Sequence, residues 1–322
     1  MGELKVERVD PAAHAKFLAD NPPDDPYSLP PFLDAYGEVF SRDIEYLQIL
    51  KNETAIASCA LFVGKRFSMP TVKLMPVRAY DGVHFRPLGD SKNQKQEYDR
   101  LMALQVLEEF LRGTFSFYQL IFRPGQIDVR PFQWSGATVS PLYTYIVDLE
   151  NFSEENYTKS LREVLRSAER AGLRGGGCSP AELVSLNQLS YERHGRRPPV
   201  AQGDLNGLLE KLDDSGLLQT TCVRNKDGKV IAAMASLRTG RGLFFYVAGT
   251  DAQAEKGASH LLYHEILTAA KSSGMSFVDF VGANTPTINL FKSSFGPRLE
   301  VYFRVWRASG VAARIASLVK KV

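Results

Sequence analysis

The chain has 322 residues, 44% hydrophobic and 23% charged, with a net charge of +3. That composition fits a globular protein of about two domains and excludes a disordered chain, a collagen-like fibre and a disulfide-stapled miniprotein. The charge is uneven: residues 1–150 carry 16 Lys+Arg against 20 Asp+Glu, a net of −4, whereas residues 151–322 carry 23 against 16, a net of +7.

In chain order, the alternation at 4–9 predicts a strand. Asp10 followed by Pro11 predicts a capped helix over 11–19. Residues 21–31, NPPDDPYSLPP, hold five prolines in eleven and predict a loop. A helix follows at 32–40. Apolar runs at 46–50 and 55–63 around Lys51-Asn52-Glu53-Thr54 predict a hairpin, then a strand at 72–77 and a long loop over 78–93. Tyr98, Leu101, Met102, Gln105 and Leu107 cover one broad face of a helix at 94–112. Strands are expected at 115–122 and 141–149. The second half predicts a helix at 154–171 ended by Gly172, a flexible joint at Gly175-Gly176-Gly177, and helices at 180–194 and 204–215. Strands at 218–224, 230–237 and 243–248 precede a helix at 257–273 and a strand at 277–280. A helix at 286–294, a strand at 299–307 and a last helix at 309–321 complete the chain.

The longest apolar run, 55–63, falls short of the ~20 residues a membrane helix needs, and the charged start MGELKVERVD is no secretory signal. The expectation is a cytoplasmic protein with no integral membrane segment. Cys59, Cys178 and Cys222 are too scattered for a disulfide framework or a zinc site and read as free thiols. His260 and His264 have metal-ligand spacing but no third ligand, so no metal is expected. The basic second half suits an anionic partner, such as a phosphorylated cofactor, a nucleotide-linked substrate or RNA; a basic solvated surface reads equally well. No DNA-binding motif is present.

The halves share one element order. A hairpin leads into Ile56-Ala-Ser-Cys-Ala-Leu61, with a helix from 94 and a strand from 115. A hairpin around Asn225-Lys226-Asp227-Gly228 leads into Ile231-Ala-Ala-Met-Ala-Ser236, with a helix from 257 and a strand from 277. This predicts an α/β protein made of a tandem duplication, each unit with a mixed (α+β) sheet, divided into domains 1–150 and 151–322.

That order is the order of an acyl-CoA-dependent N-acyltransferase unit, in which a helix N-terminus after a central strand holds a pyrophosphate through its N–H groups. The candidate station follows the strand at 243–248. Gly257 and Ala258 would let the donor approach, Ser259 would donate a hydrogen bond and Lys256 would add charge. Val247, Ala248 and Gly249 mark the expected bulge, whose N–H can receive an oxyanion. The glycine signal is degenerate, with Ala254 at its first position and Ser259 at its last, so an ordinary strand-to-helix turn also fits. No tightly bound cofactor is expected, with acyl-CoA a possible co-substrate.

Three segments carry a resemblance. They are the strand Tyr143-Thr-Tyr-Ile-Val-Asp-Leu149, the helix with Leu161-Arg162 through Arg166, Ala168 and Arg170 to Gly172, and the ending Asn289-Leu-Phe-Lys292-Ser-Ser-Phe-Gly296. In this order they resemble the FemABX-like transferases, which carry two GNAT-like domains in tandem. The resemblance implies transfer of an acyl or aminoacyl group to an amine, such as one on a cell-envelope precursor or a polysaccharide-related substrate. The donor it implies is acyl-CoA or aminoacyl-tRNA. It also implies a catalytic second domain beside an acceptor or scaffold first domain.

By the same resemblance Lys292 lies near the reacting or phosphate-bearing group, and its replacement should abolish transfer and leave the fold intact; Phe291 walls the site. A general base is needed for the amine. Asp279 is a candidate, or else a cap or ion-pair partner. Tyr246 and Tyr302 are candidates for proton relay or carbonyl contact, or else sheet residues. Tyr80 and Asp81 fall in the loop that would form part of the acceptor cleft. Arg166 belongs to the stripe Arg162, Arg166, Arg170, which can hold phosphates or form a solvated face. The competing reading is a GNAT-like binding module without catalysis, for a nucleotide-linked or protein partner.

Overall fold

The computed structural model describes residues 3–66, 68–72, 75–87, 93–193 and 195–309. The chain forms two compact units: one runs to Leu142 and takes in the chain again from Val301, and the other spans Tyr143–Glu300. The division therefore differs from a single cut at residue 150.

The first unit contains β1 (Leu4–Val9), α1 (Pro11–Asp20), α2 (Pro30–Phe40), β2 (Asp43–Lys51), β3 (Thr54–Arg66), β4 (Met69–Val72), β5 (Val83–Phe85), α3 (Asn93–Thr114), β6 (Phe117–Ile121), α4 (Arg130–Trp134) and the start of β7 (Thr138–Asp148). The second unit holds the rest of β7, then α5 (Lys159–Arg170), β8 (Arg174–Gly176), α6 (Pro180–Arg193), α7 (Gln202–Asp214), β9 (Leu218–Arg224), β10 (Val230–Arg238), β11 (Gly242–Thr250), α8 (Ala258–Ser272), β12 (Phe277–Asp279), α9 (Pro286–Ser293) and the start of β13 (Arg298–Ala308). A strand, two helices, a run of strands, then helix, strand, helix, strand occurs twice, as the duplication predicts.

The strand order in the first unit is β1-β2-β3-β4-β6-β13, with β5 paired to β3. In the second it is β7-β12-β11-β10-β9-β8. The last strand of each repeat completes the sheet of the other unit: β7 pairs with β12 through Ile146–Asp148, and β13 pairs with β6 through Arg304–Ala308.

The two Ile-Ala motifs become the central strands. In β10 every residue from Val230 to Leu237 is buried, and in β3 so is every residue from Ile56 to Phe62. A strand covered on both faces reads as a continuous apolar run, and alanine lets helices approach closely. On one face of the second unit, Leu161 and Leu165 of α5 and Leu261, Leu262 and Ile266 of α8 pack over Val223, Ile231 and Phe245. The corresponding core of the first unit sets Leu104, Leu107 and Leu111 of α3 over Leu47, Ile49 and Ile56.

Several local expectations change. Asp10 caps α1 as predicted, its Oδ1 accepting from Ala13 N at 2.7 Å. The strand expected at 72–77 lies earlier, because the hairpin register Arg66↔Met69 sets β4; Val77, with φ 50, cannot continue it. The loop at 78–93 contains β5, and α4 starts at Arg130-Pro131 where no element was expected; both are too short to show periodicity. Gly175 and Gly176 are no flexible joint: they pair with Val223 and Cys222, and Arg224 donates to Gly177 O. This brings Cys178 beside Cys222, whose thiols hydrogen-bond; burial pushes Cys178 up to about 12 and Cys222 upward, so both stay as protonated, free thiols. The last predicted helix, from Gly310, lies outside the described residues. Among the described residues no helix is long and apolar enough to cross a membrane, and no group of three His, Cys, Asp or Glu could hold a metal.

Candidate active site

In the second unit, β11 and β12 run parallel but pair only at Gly242↔Phe277, Leu243↔Val278 and Phe244↔Asp279. Beyond these pairs β12 ends, while β11 continues to Thr250. The two strands therefore part, leaving one edge of β11 without a strand partner among the described residues. The ladder to β10 slips at the same place: Ser236 faces Phe245 and Ala235 faces Val247, so Tyr246 is the extra residue of a bulge. The bulge lies just before Val247-Ala248-Gly249 and not within it. Val247 is buried and stays in the ladder.

Helix α6 packs against this end of β11. A Cβ at Gly249 would fall inside the backbone of Leu186 and Asn187, so only glycine allows the contact. Gly249→Ala is expected to destabilise the protein by about 3 kcal/mol, as overpacking against backbone cannot relax by a rotamer change; thermal melting checks this. Asp251 N donates to Ile231 O across the ladder. In an antiparallel pair the hydrogen-bonding direction alternates, so Ala248 and Thr250 point their main-chain groups away from β10. Three of these groups are met by α6: Asn187 Nδ2 donates to Ala248 O at 2.8 Å, and Ser190 Oγ both donates to Thr250 O at 2.9 Å and accepts from Thr250 N at 2.8 Å.

Helix α8 starts after Gly257, whose φ of 98 suits glycine. A Cβ there would press on Ala168 Cβ at 3.1 Å and Val164 Cγ1 at 3.2 Å, so the helix start is packed against α5. Ala258 is buried, Lys256 is exposed, and Ser259 Oγ lies 3.2 Å from Thr250 Oγ1.

The turn after β12 is heavily tied. Lys292 is buried, and its ammonium donates to Phe280 O at 2.6 Å, Val281 O at 3.1 Å and Gly282 O at 2.7 Å. An ammonium has three hydrogens, and all are committed. Burial pushes Lys292 down to about 8, partly opposed by the Asp279 charge. Asp279 Oδ1 accepts from Thr144 Oγ1 at 2.6 Å and from Val281 N at 2.8 Å, while Thr144 Oγ1 accepts from Gly282 N at 3.1 Å. This frame holds Val281 at φ 47, which a β-branched residue adopts only under constraint. Lys292 is therefore placed as a positioning residue of this turn, and its removal is expected to disturb the fold as well as transfer. Asp279 is likewise a ligand of the turn, closer to the cap reading than to a general base.

Phe291 packs edge-on against His260 at 4.7 Å and Tyr263 at 4.8 Å, forming an aromatic wall. Burial, then the charge of Lys256, lowers His260. Tyr80, Asp81 and Tyr302 are buried in the interior of the first unit. Tyr80 and Tyr302 meet edge to face at 5.4 Å. Asp81 pairs with Arg78 at 2.7 Å and accepts from Ile121 N at 2.8 Å, which leaves no lone carboxylate for an acceptor amine. Of the arginine stripe, Arg162 donates to Tyr157 O at 2.9 Å, whereas Arg166 is exposed beside Glu163, Glu169 and Arg170. Sequence reasoning missed Asn187, Ser190 and Thr144. The available signal for Asn187 was a carboxamide among Leu183, Val184 and Leu186 on an apolar helix face.

The comparisons agree with this geometry. Residues 157–292 match the family described as Acetyltransferase (GNAT) domain. Among solved structures, FemX is similar with 10% identity and a TM-score of 0.64, over 93% of this chain and 96% of that one. L-PGS from Bacillus licheniformis is similar with 16% identity and a TM-score of 0.62, over 98% of this chain and 97% of that one. A tandem GNAT protein from the clavulanic acid biosynthesis pathway has 11% identity and a TM-score of 0.55, over 96% of this chain and 99% of that one. No curated protein matches the sequence. Residues 157–292 therefore form an acetyltransferase (GNAT) domain in the second unit, and the chain as a whole is similar in fold to FemX and to a tandem GNAT protein.

Proposed function

We propose that the chain transfers an aminoacyl group from aminoacyl-tRNA to an amine on a cell-envelope precursor, in the cleft where β11 and β12 part. The observation that carries this reading is the parting beyond Phe244 and Asp279 together with the bulge at Tyr246. The gap gives an activated carbonyl room beside the Ala248 N–H, which points out of the ladder and is not among the groups that α6 takes, so that it can stabilise the oxyanion. The acceptor nitrogen attacks the ester carbonyl, an amide forms, and the tRNA hydroxyl leaves with the proton lost by the amine. The rigid turn at 280–282 fixes one wall, and Phe291 and His260 supply an apolar boundary. The likeness to FemX and L-PGS supports this donor, and the net +7 of residues 151–322 suits a polyanion.

The test is incubation of the full chain with radiolabelled aminoacyl-tRNAs and a peptidoglycan precursor bearing a free amine. Label is expected in an amide-linked product, at a rate falling steeply between about 50 and 200 mM salt, because tRNA phosphates are neutralised on binding. Transfer from acetyl-CoA alone would overturn the proposal.

A further inference from the structure

An activated donor carried on an extended arm, such as acetyl-CoA, needs two stations in a fold of this kind. One is a strand edge for the amides of the arm. The other is a helix N-terminus for the pyrophosphate. Here the strand edge is filled by the chain itself, and the helix start is packed closely against a neighbouring helix. The outward groups of Ala248 and Thr250 lie on the edge that β12 leaves behind, and an unpaired edge is a template for any extended amide chain. Asn187 and Ser190 take three of those groups, at 2.8–2.9 Å. Ser190 satisfies both the N–H and the C=O of Thr250, as a neighbouring strand would. Helix α6 cannot swing aside cheaply, because its backbone rests on Gly249. At the other station Val164 and Ala168 of α5 rest on Gly257, where the pyrophosphate would come closest.

We infer that Asn187 and Ser190 are specificity-determining residues that close the β11 edge to pantetheine-type donors, so that the donor reaches the cleft only by its activated end. This rests on transfer occurring where β11 and β12 part, and it deepens that reading by naming which donors are refused. The refusal is by occupancy. A donor arm would have to break three hydrogen bonds to α6 before making its own, so its net gain at this edge is close to nothing.

Two measurements on the full chain test this. Calorimetric titration with acetyl-CoA at low salt is expected to show no saturable binding up to about 1 mM. Micromolar binding would overturn the inference. Hydrogen exchange resolved at Thr250 is expected to show a protected amide that exchanges at least about tenfold faster in Ser190→Ala, the loss of one hydrogen bond's protection. A Thr250 amide that exchanges freely in the unaltered chain, or that Ser190→Ala leaves equally protected, would overturn it too. The outcomes are separable from those of the proposed activity. A chain that refuses acetyl-CoA and also fails to use aminoacyl-tRNA removes the aminoacyl reading alone, whereas acetyl-CoA binding across Ala248–Thr250 removes this inference directly.

Discussion

Lys292→Met is expected to lower the melting temperature by roughly 10 °C and to abolish transfer in the same step. The substitution keeps the length of the aliphatic stem and removes the three donors that hold Phe280, Val281 and Gly282. Leaving a buried polar set without its partner costs about 3–5 kcal/mol, and for a unit of this size each kcal/mol is about 2–4 °C. Without the ammonium, Val281 has no reason to keep its left-handed backbone, and the wall of the cleft relaxes. The pH dependence separates this role from that of a surface lysine. Burial sets Lys292 at about 8 in the folded chain, below the ordinary ~10.4 of an unfolded lysine. Between those values the unfolded chain binds the proton more readily, so stability rises with pH. The stability gap between the parent protein and Lys292→Met should widen by about 2 kcal/mol between pH 7.5 and 9.5. Denaturant titrations at the two pH values check it; a constant gap would mean that the lysine is solvated.

Acid should loosen the first unit well before its carboxylates protonate in the ordinary range. His84 is buried and its Nε2 lies 3.5 Å from Asp25 Oδ2. Burial lowers it to about 3, helped by the charges of Arg123, His14 and Arg78 and opposed by that of Asp24. His14, whose ring meets Ser58 Oγ at 2.8 Å, is lowered mainly by burial. Each ring is neutral when folded and takes up a proton near 6.5 when unfolded. Their stabilisation is therefore present above pH 6.5 and is lost as pH falls toward the folded values, for His84 at about 1.4 kcal/mol per pH unit. Asp25 and Asp81 act in the opposite sense: burial raises both above the ordinary carboxylate value, so their protonation in acid favours the folded chain. The comparison that isolates His84 is His84→Gln. Its deficit relative to the parent protein should shrink by about 2–3 kcal/mol between pH 7 and 4.5, read from urea midpoints. An unchanged deficit would show that the ring is already protonated at neutrality.

The elements that sequence made legible are those whose pattern is local. Asp10-Pro11, the alternation at Leu4–Val9 and the long face of α3 each report their own conformation. The duplicated Ile-Ala strands report theirs through burial on both faces, which the composition itself records. The site was less legible because its roles depend on which groups meet. Lys292 and Asp279 were picked out as residues, but nothing near them in sequence says that an ammonium will face three carbonyls or that a carboxylate will face Thr144, 135 residues away. Asp81 was read as part of an acceptor cleft; Arg78, three positions earlier, was in view, but the burial that makes the pair structural was not. Gly257 was read as an opening for a ligand and Gly249 as the mark of a bulge, whereas each admits a helix of the same chain. A glycine reports that something approaches closely, not what.

The exchanged final strands reverse the order in which the chain can finish folding relative to its synthesis. Everything between Tyr143 and Glu300 is complete once that stretch has emerged, so the second unit can close as soon as it is made. The first unit cannot. Its strand β6 waits for Arg304–Ala308, nearly the last described residues, before its edge is covered and Val305 enters the core. For most of translation the N-terminal half is therefore a sheet with an exposed border, the kind of intermediate that chaperones hold. A premature stop or a bulky tag close behind Ala308 would injure the half of the protein that was translated first.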